Sequence, residues 1–219
     1  MTTHSPRSPK LARGGIVVLD PDSGVTQQTI ALQYNPQSLT RSVQPQTTGG
    51  EGGDRSQTFR LTGPAVETIQ LDAEIDAADY LEDPQRFAMV RQNGIQPQLA
   101  VLQNLAYPTS ESLERNNSLQ AAGTLEILPS ENPLTLFVWG NQRIIPVRLT
   151  DIGITEEAFD ESLNPIRAKV SLGMRVLSVS DVGFDHRAGT FYMAHQRRNE
   201  RLARQSRSLG PSNLGAGGF

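Results

Sequence analysis

The chain has 219 residues, 37% of them hydrophobic, a formal net charge of -3 and no cysteine. That length suits one substantial core, and the missing thiols exclude disulfides, thiolate metal sites and cysteine nucleophiles. No apolar run approaches the roughly 20 residues of a membrane span, and the opening MTTHSPRSPKLARGG holds no apolar signal core, so cytoplasmic synthesis without membrane insertion is expected.

Gly14-Gly15 precedes IVVLD, a compact apolar run closed by the turn residues Pro21-Asp22-Ser23-Gly24, and Val25 to Leu32 returns as a second strand. Ile30, Leu32 and Tyr34 alternate with small or polar residues before Asn35-Pro36 interrupts, after which Leu39, Arg41 and Val43 resume the alternation. Proline offers no N–H to a ladder, so Asn35-Pro36 marks a strand end, bulge or edge. Gln44 to Gln57 follows, rich in glycine with almost nothing to bury, and is expected to be a long mobile loop.

VETIQLDAEID then sets Ile69, Leu71, Ala73 and Ile75 against Val66, Thr68, Gln70 and Asp72, the mark of an antiparallel strand covered on one face. The period next changes. Asp83-Pro84 can open a helix carrying Phe87 and Val90 that stops at Gly94, and Leu99, Leu102 and Leu105 mark a second helix from Pro97 to about Tyr107. PTSESLERNNSLQAAG is polar and reads as a loop. Strand character returns in LTLFVWG, QRIIPVRLTDIGITEEAF and NPIRAKVSLGMRVLSV, with Gly140-Asn141 as a tight hairpin and Asp160 to Pro165 as an acidic turn.

From Arg187 to Arg207 there are six arginines and one acid, Glu200, on a chain of pI near 5.6. A basic helix from Thr190 to about Arg207 is expected, with Thr190, Phe191, Ala194, Arg198 and Leu202 along one stripe. It suits a charged, solvated helix or a protein docking arm better than nucleic-acid binding. The segments divide into a flexible tail (1–13), a β-domain (14–182) and a basic extension with a flexible tail (183–219). Three period-two groups around one helical region predict a mainly β fold, an antiparallel barrel or sandwich with one or two inserted helices and a C-terminal basic helical extension.

Catalysis requires a placed nucleophile, base or metal. His186 and His195 have no third ligand at a recognisable spacing, and the acids of TEEAFDES read as a solvated turn rather than a glycosidase pair. Gly49, Gly50, Gly52 and Gly53 lack the Lys-Ser/Thr and helix start of a phosphate loop. Trp139 could stack on a sugar, which keeps a glycan-binding β-sandwich as an alternative, although an aromatic at a strand end more commonly anchors a core. No catalytic residue, metal or cofactor is expected, and the chain reads as a non-enzyme.

In order, LQYNPQSLTRS, VETIQLDAEIDAADY, NPLTLFVWG and IGITEEAFDESLNPIRAKVSLGMRVL resemble the tube-domain family of contractile injection systems, the phage-tail-like particles that drive a spike and tube into a target. The resemblance spans roughly Gly15 to Ser180. It implies a phage-tail-tube type of β-domain and a structural subunit at the inner baseplate, in a homohexameric ring joining the spike hub protein to the inner tube protein among other baseplate components. An inner tube or tube-terminating cap subunit is the alternative within the family. Many baseplate members carry a LysM module after this domain, whereas only about 39 residues follow Ser180 here, too few for a self-sufficient core. On this reading Asn35, Pro36, Gly49, Gly50, Gly52, Gly53 and Asp54 are inter-subunit or inter-ring contact candidates, the loop becoming ordered against a neighbour. Arg197, Arg201 and Arg204, with Arg198, are candidates for docking to an acidic surface of the baseplate or hub.

Overall fold

The computed structural model describes residues 12–20, 23–47, 60–77, 88–121, 123 and 133–205. Its strands are β1 (Gly15–Leu19), β2 (Thr26–Ala31), β3 (Leu39–Gln44), β4 (Val66–Asp76), β5 (Leu134–Trp139), β6 (Arg143–Phe159) and β7 (Pro165–Val176). All seven lie in one sheet of order β2-β1-β5-β6-β7-β4-β3, with every neighbouring pair antiparallel.

Burial explains why each segment became a strand. In β4, Ile69, Leu71 and Ala73 are buried while Gln70, Asp72 and Glu74 are exposed, as the alternation requires. β1 shows no such alternation because it is covered on both faces. Ile16 and Val18 enter the main core with Phe137, Ile145, Val147 and Met174, while Val17 and Leu19 join a second cluster with Leu134, Leu136, Ala188 and Phe191. An unbroken apolar run is what a strand between two layers needs.

The topology forces the sheet to curl. β2 and β3 are consecutive in the chain yet occupy opposite edges of a seven-stranded sheet. Laid flat, that sheet would be about 29 Å wide at about 4.8 Å per strand. The connection from Ala31 to Leu39 could reach that distance only if it were almost fully extended, at about 3.3–3.6 Å per residue. The connection instead bends, and the amide of Gln33 closes the gap: its Nε2 donates to the Asp76 carbonyl at 2.8 Å, and the Asp76 N–H donates to its Oε1 at 2.9 Å. A single sheet drawn towards closure corresponds to the barrel rather than the sandwich.

Helices occupy the seam. After α1 (Ala88–Asn93), Gly94 adopts φ 56° and Ile95 is fully buried, leading into α2 (Gln96–Asn104), which buries Leu99 and Leu102. Gln98, Val101 and Leu102 line a cavity of about 230 Å³ between Thr29–Gln33 and Ala73–Ile75. α2 starts one residue before the expected Pro97, which stands in its first turn where a missing N–H costs nothing, and ends at Asn104 rather than near Tyr107.

One expectation fails. Most of the polar PTSESLERNNSLQAAG segment is not a loop but forms α3 (Ser110–Ala121). Thr109 Oγ1 accepts from the Ser112 N–H at 3.2 Å, capping the first turn, and Glu111 complements the helix dipole there. A helix polar on nearly all sides carries no apolar stripe, so its period is invisible in the sequence.

Beyond the sheet, α4 (Val179–Val182) is opened by a capping box of Ser178 and Asp181, and α5 (Arg187–Gln205) lies along β6. α5 begins three residues before the expected Thr190. Its inward face carries Ala188, Phe191, Tyr192 and the buried His195, and Ala194 of the expected stripe is exposed.

Candidate functional site

Asn35 completes the strand end that Pro36 interrupts. Its Oδ1 accepts from the Gly14 N–H at 2.9 Å and its Nδ2 donates to the Ala12 carbonyl at 2.8 Å, so the side-chain amide pairs with the backbone just ahead of β1. The second Asn-Pro pair is used alike. Asn164 Nδ2 donates to Asp160 Oδ2 at 2.9 Å and to the Gln92 carbonyl at 3.2 Å, linking the β6–β7 turn to α1. Both asparagines tie a chain reversal to another segment. Replacing Asn35 by Ala is expected to cost about 0.5–1.5 kcal/mol, because the part-buried Gly14 N–H loses its partner while water replaces the amide at the exposed Ala12 carbonyl. A urea midpoint unchanged from the parent would contradict this.

The break also lies where the sheet ends. β2 and β3 are its two edge strands, and β3 is exposed along all but its first residue. β3 pairs only with Val66–Leu71, so among the described residues Asp72–Asp76 of β4 have no strand on that side, and β6 beyond Val147 has left β5 behind. Continuations of β3 and β4 remain paired, with Thr47 bridging Leu61 and the Thr62 N–H donating to the Gln46 carbonyl at 2.9 Å. Gly49, Gly50, Gly52, Gly53 and Asp54, between those continuations, lie outside the described residues.

The β6–β7 tip is acidic. Asp160 Oδ1 accepts from the N–H groups of Ser162 and Asn164, both at 2.8 Å, and the Asn164 side-chain amide first, then these backbone donors, hold its carboxyl below the usual aspartate value. Glu157 receives Lys169 Nζ at 2.6 Å. Phe159 is 48% exposed and Leu163 is 79% exposed with φ 64°.

At the other end of β6 stands α5. Arg198 donates to the carbonyls of Asn141 at 3.2 Å and Gln142 at 2.6 Å, capping the β5–β6 turn of its own chain. Arg197, Arg201 and Arg204 are exposed and share the face turned away from the sheet. The four arginines thus divide into one that holds the helix down and three that face outward. No sequence signal distinguishes Arg198, because its partners lie 57 and 56 residues away.

His195 lies beneath α5 with Nε2 3.0 Å from Asn199 Nδ2, and its buried Nδ1 finds no partner among the described residues. Burial pushes the imidazole below the ordinary histidine value, Glu67 opposes the shift, and Arg41, Arg143 and Arg198 reinforce it. The unfolded chain therefore takes up a proton near pH 6.5 that the folded chain resists. Stability is expected to fall as pH drops below about 6.5, until the lowered folded value is passed. Thermal melts between pH 7 and 5 should show this slope, and His195→Gln should flatten it; equal slopes would contradict the assignment.

Trp139 is taken up within the fold: it stacks on Phe137 with ring centroids 5.8 Å apart and covers Gly14. Among the described residues no group of three His, Asp or Glu side chains is placed to hold a metal ion, and no helix is long and apolar enough to cross a membrane.

No family model and no curated protein matches the chain. Among solved structures, the tail of an empty gene transfer agent (GTA) particle, computed with C6 symmetry, contains a chain 14% identical to this one. That match covers 75% of this chain and 90% of that one at a TM-score of 0.29. The virion of a native GTA particle gives 14% identity over 74% and 90% at 0.27. Scores this low carry no argument about fold or role.

Proposed function

We propose that the chain is a non-enzymatic structural subunit of a contractile, phage-tail-like injection particle, forming a ring at the inner baseplate between spike hub and inner tube. The observation that carries this reading is the sheet's edges: among the described residues, β2, β3 and the distal half of β6 each leave a side without a strand. Open edges invite pairing with other chains, and a repeating assembly is one way to cover them. The ordered resemblance of four segments to tube-domain proteins names the kind of assembly. A sixfold ring, with hub and tube proteins as partners, follows from that resemblance. Trp139, half-buried with one face stacked on Phe137 and its edge over Gly14, is already engaged by the core, which disfavours a sugar platform.

The test mixes the purified chain with the hub and inner tube proteins of the same particle and follows mass and electron-microscopic shape. Rings bound to both partners are expected. Stacking on tube protein without hub would place the chain in the tube or cap, and a monomer in every mixture would overturn the reading.

A further inference from the structure

The chain is electrically polarised along β6. At the β6–β7 end, Glu74, Asp76, Glu156, Glu157, Asp160 and Glu161 face three bases, Arg91, Arg167 and Lys169. Arg167 is engaged by Asp76 at 2.8 Å and Lys169 by Glu157, which leaves Glu156 and Glu161 without an ion pair among the described residues. At the opposite end, Arg143, Arg197, Arg201 and Arg204 stand with two acids, Glu200 and Glu67, of which Glu67 is already paired with Arg41, and Arg198 is held by backbone carbonyls. β6 runs 17 residues from Arg143 to Phe159, about 50 Å at about 3.3 Å per residue. Charges that far apart lie several screening lengths beyond each other's reach within one molecule.

Each end also exposes apolar surface. Leu202 is 47% exposed although it falls on the same helical face as the docked His195, because α5 extends past the turn that Arg198 caps. At the tip, Leu163 is 79% exposed and adopts φ 64°, a left-handed conformation that suits glycine or asparagine. A bulky side chain held there against its backbone preference costs stability and gains little burial in the isolated fold.

We infer that the overhanging, arginine-rich end of α5 is the docking site for the acidic β6–β7 tip of a second copy of this chain, in a head-to-tail contact. Arg197, Arg201 and Arg204 meet Glu156 and Glu161, while Leu163 and Phe159 pack on the aliphatic stems of those arginines. Because the two surfaces differ and lie at opposite ends, the contact propagates from copy to copy, closing into a ring or continuing as a stack. This deepens the particle-subunit reading by naming the surfaces, yet it is tested on the isolated chain, so its failure is separable from failure to assemble with hub and tube proteins.

The experiment is sedimentation velocity of the full chain across protein and salt concentrations. The parent is expected to associate at low salt and dissociate as salt rises. Arg197→Glu/Arg201→Glu/Arg204→Glu makes both ends acidic, and Glu156→Lys/Glu161→Lys makes both basic. Each variant alone should associate at least about tenfold more weakly, since several weak pairs are reversed together. An equimolar mixture of the two should regain association. Leu163→Gly, which relieves the backbone, should weaken association with an unchanged circular dichroism spectrum. A parent monomeric at every concentration, or folded variants whose mixture stays monomeric, would overturn the proposal and leave these surfaces to a different protein.

Discussion

Phe137→Ala is expected to lower global stability by about 3–5 kcal/mol, the range for emptying an aromatic site in a packed core. The ring is 1% exposed at the middle of the sheet, on β5 between Ile16 of β1 and Ile145 of β6, and it stacks on Trp139. Both neighbouring strands are held by hydrogen bonds, so they cannot collapse into the space a missing ring leaves. For a chain of this size the loss corresponds to a melting temperature lower by about 6–20 °C. Phe159→Ala at the exposed tip is the control and should stay within about 0.5 kcal/mol. Equal losses for the two phenylalanines in chemical denaturation would show that the core is not organised around β5.

Gly94→Ala is expected to cost about 2–4 kcal/mol through two separable effects. The residue has φ 56°, where a Cβ is strained. A Cβ there would also run into the carbonyl oxygen of Pro165, the acceptor for the Ile95 N–H at 2.8 Å. That contact seats α1 and α2 against the start of β7, so relieving the clash moves α2 out of the seam or breaks the Ile95 bond. Gly140→Ala isolates the first effect, since Gly140 has φ 65° but nothing near its missing Cβ. Its cost should be smaller, about 1–2 kcal/mol. If the two variants were equally destabilised, the packing of Gly94 on Pro165 would be irrelevant.

Acid titration separates surface from interior. His195 acts in the window just below pH 6.5, whereas Asp160, held ionised in its turn, loses its contribution only as pH falls below the ordinary aspartate value. The tip should therefore keep its shape through the range in which α5 begins to loosen.

Strand positions were written in the sequence. Period-two alternation places β4 residue for residue, an apolar run places β1, and Gly140-Asn141 with the two Asn-Pro pairs marks where strands end, because these signals depend on neighbours only a few residues apart. The mainly β, antiparallel class follows from them. Tertiary structure decided the rest. That β2 and β3 part to opposite edges, that Gln33 reaches Asp76 across 43 residues, that Asn35 grips Ala12 and Gly14, and that Arg198 is held by Asn141 while Arg197, Arg201 and Arg204 face outward all depend on distant partners. α3 stayed hidden for the converse reason: a helix that buries almost nothing leaves no hydrophobic period to read. Local pattern encodes which face of a segment is apolar, but what that face meets is settled only when the sheet curls and brings remote segments together.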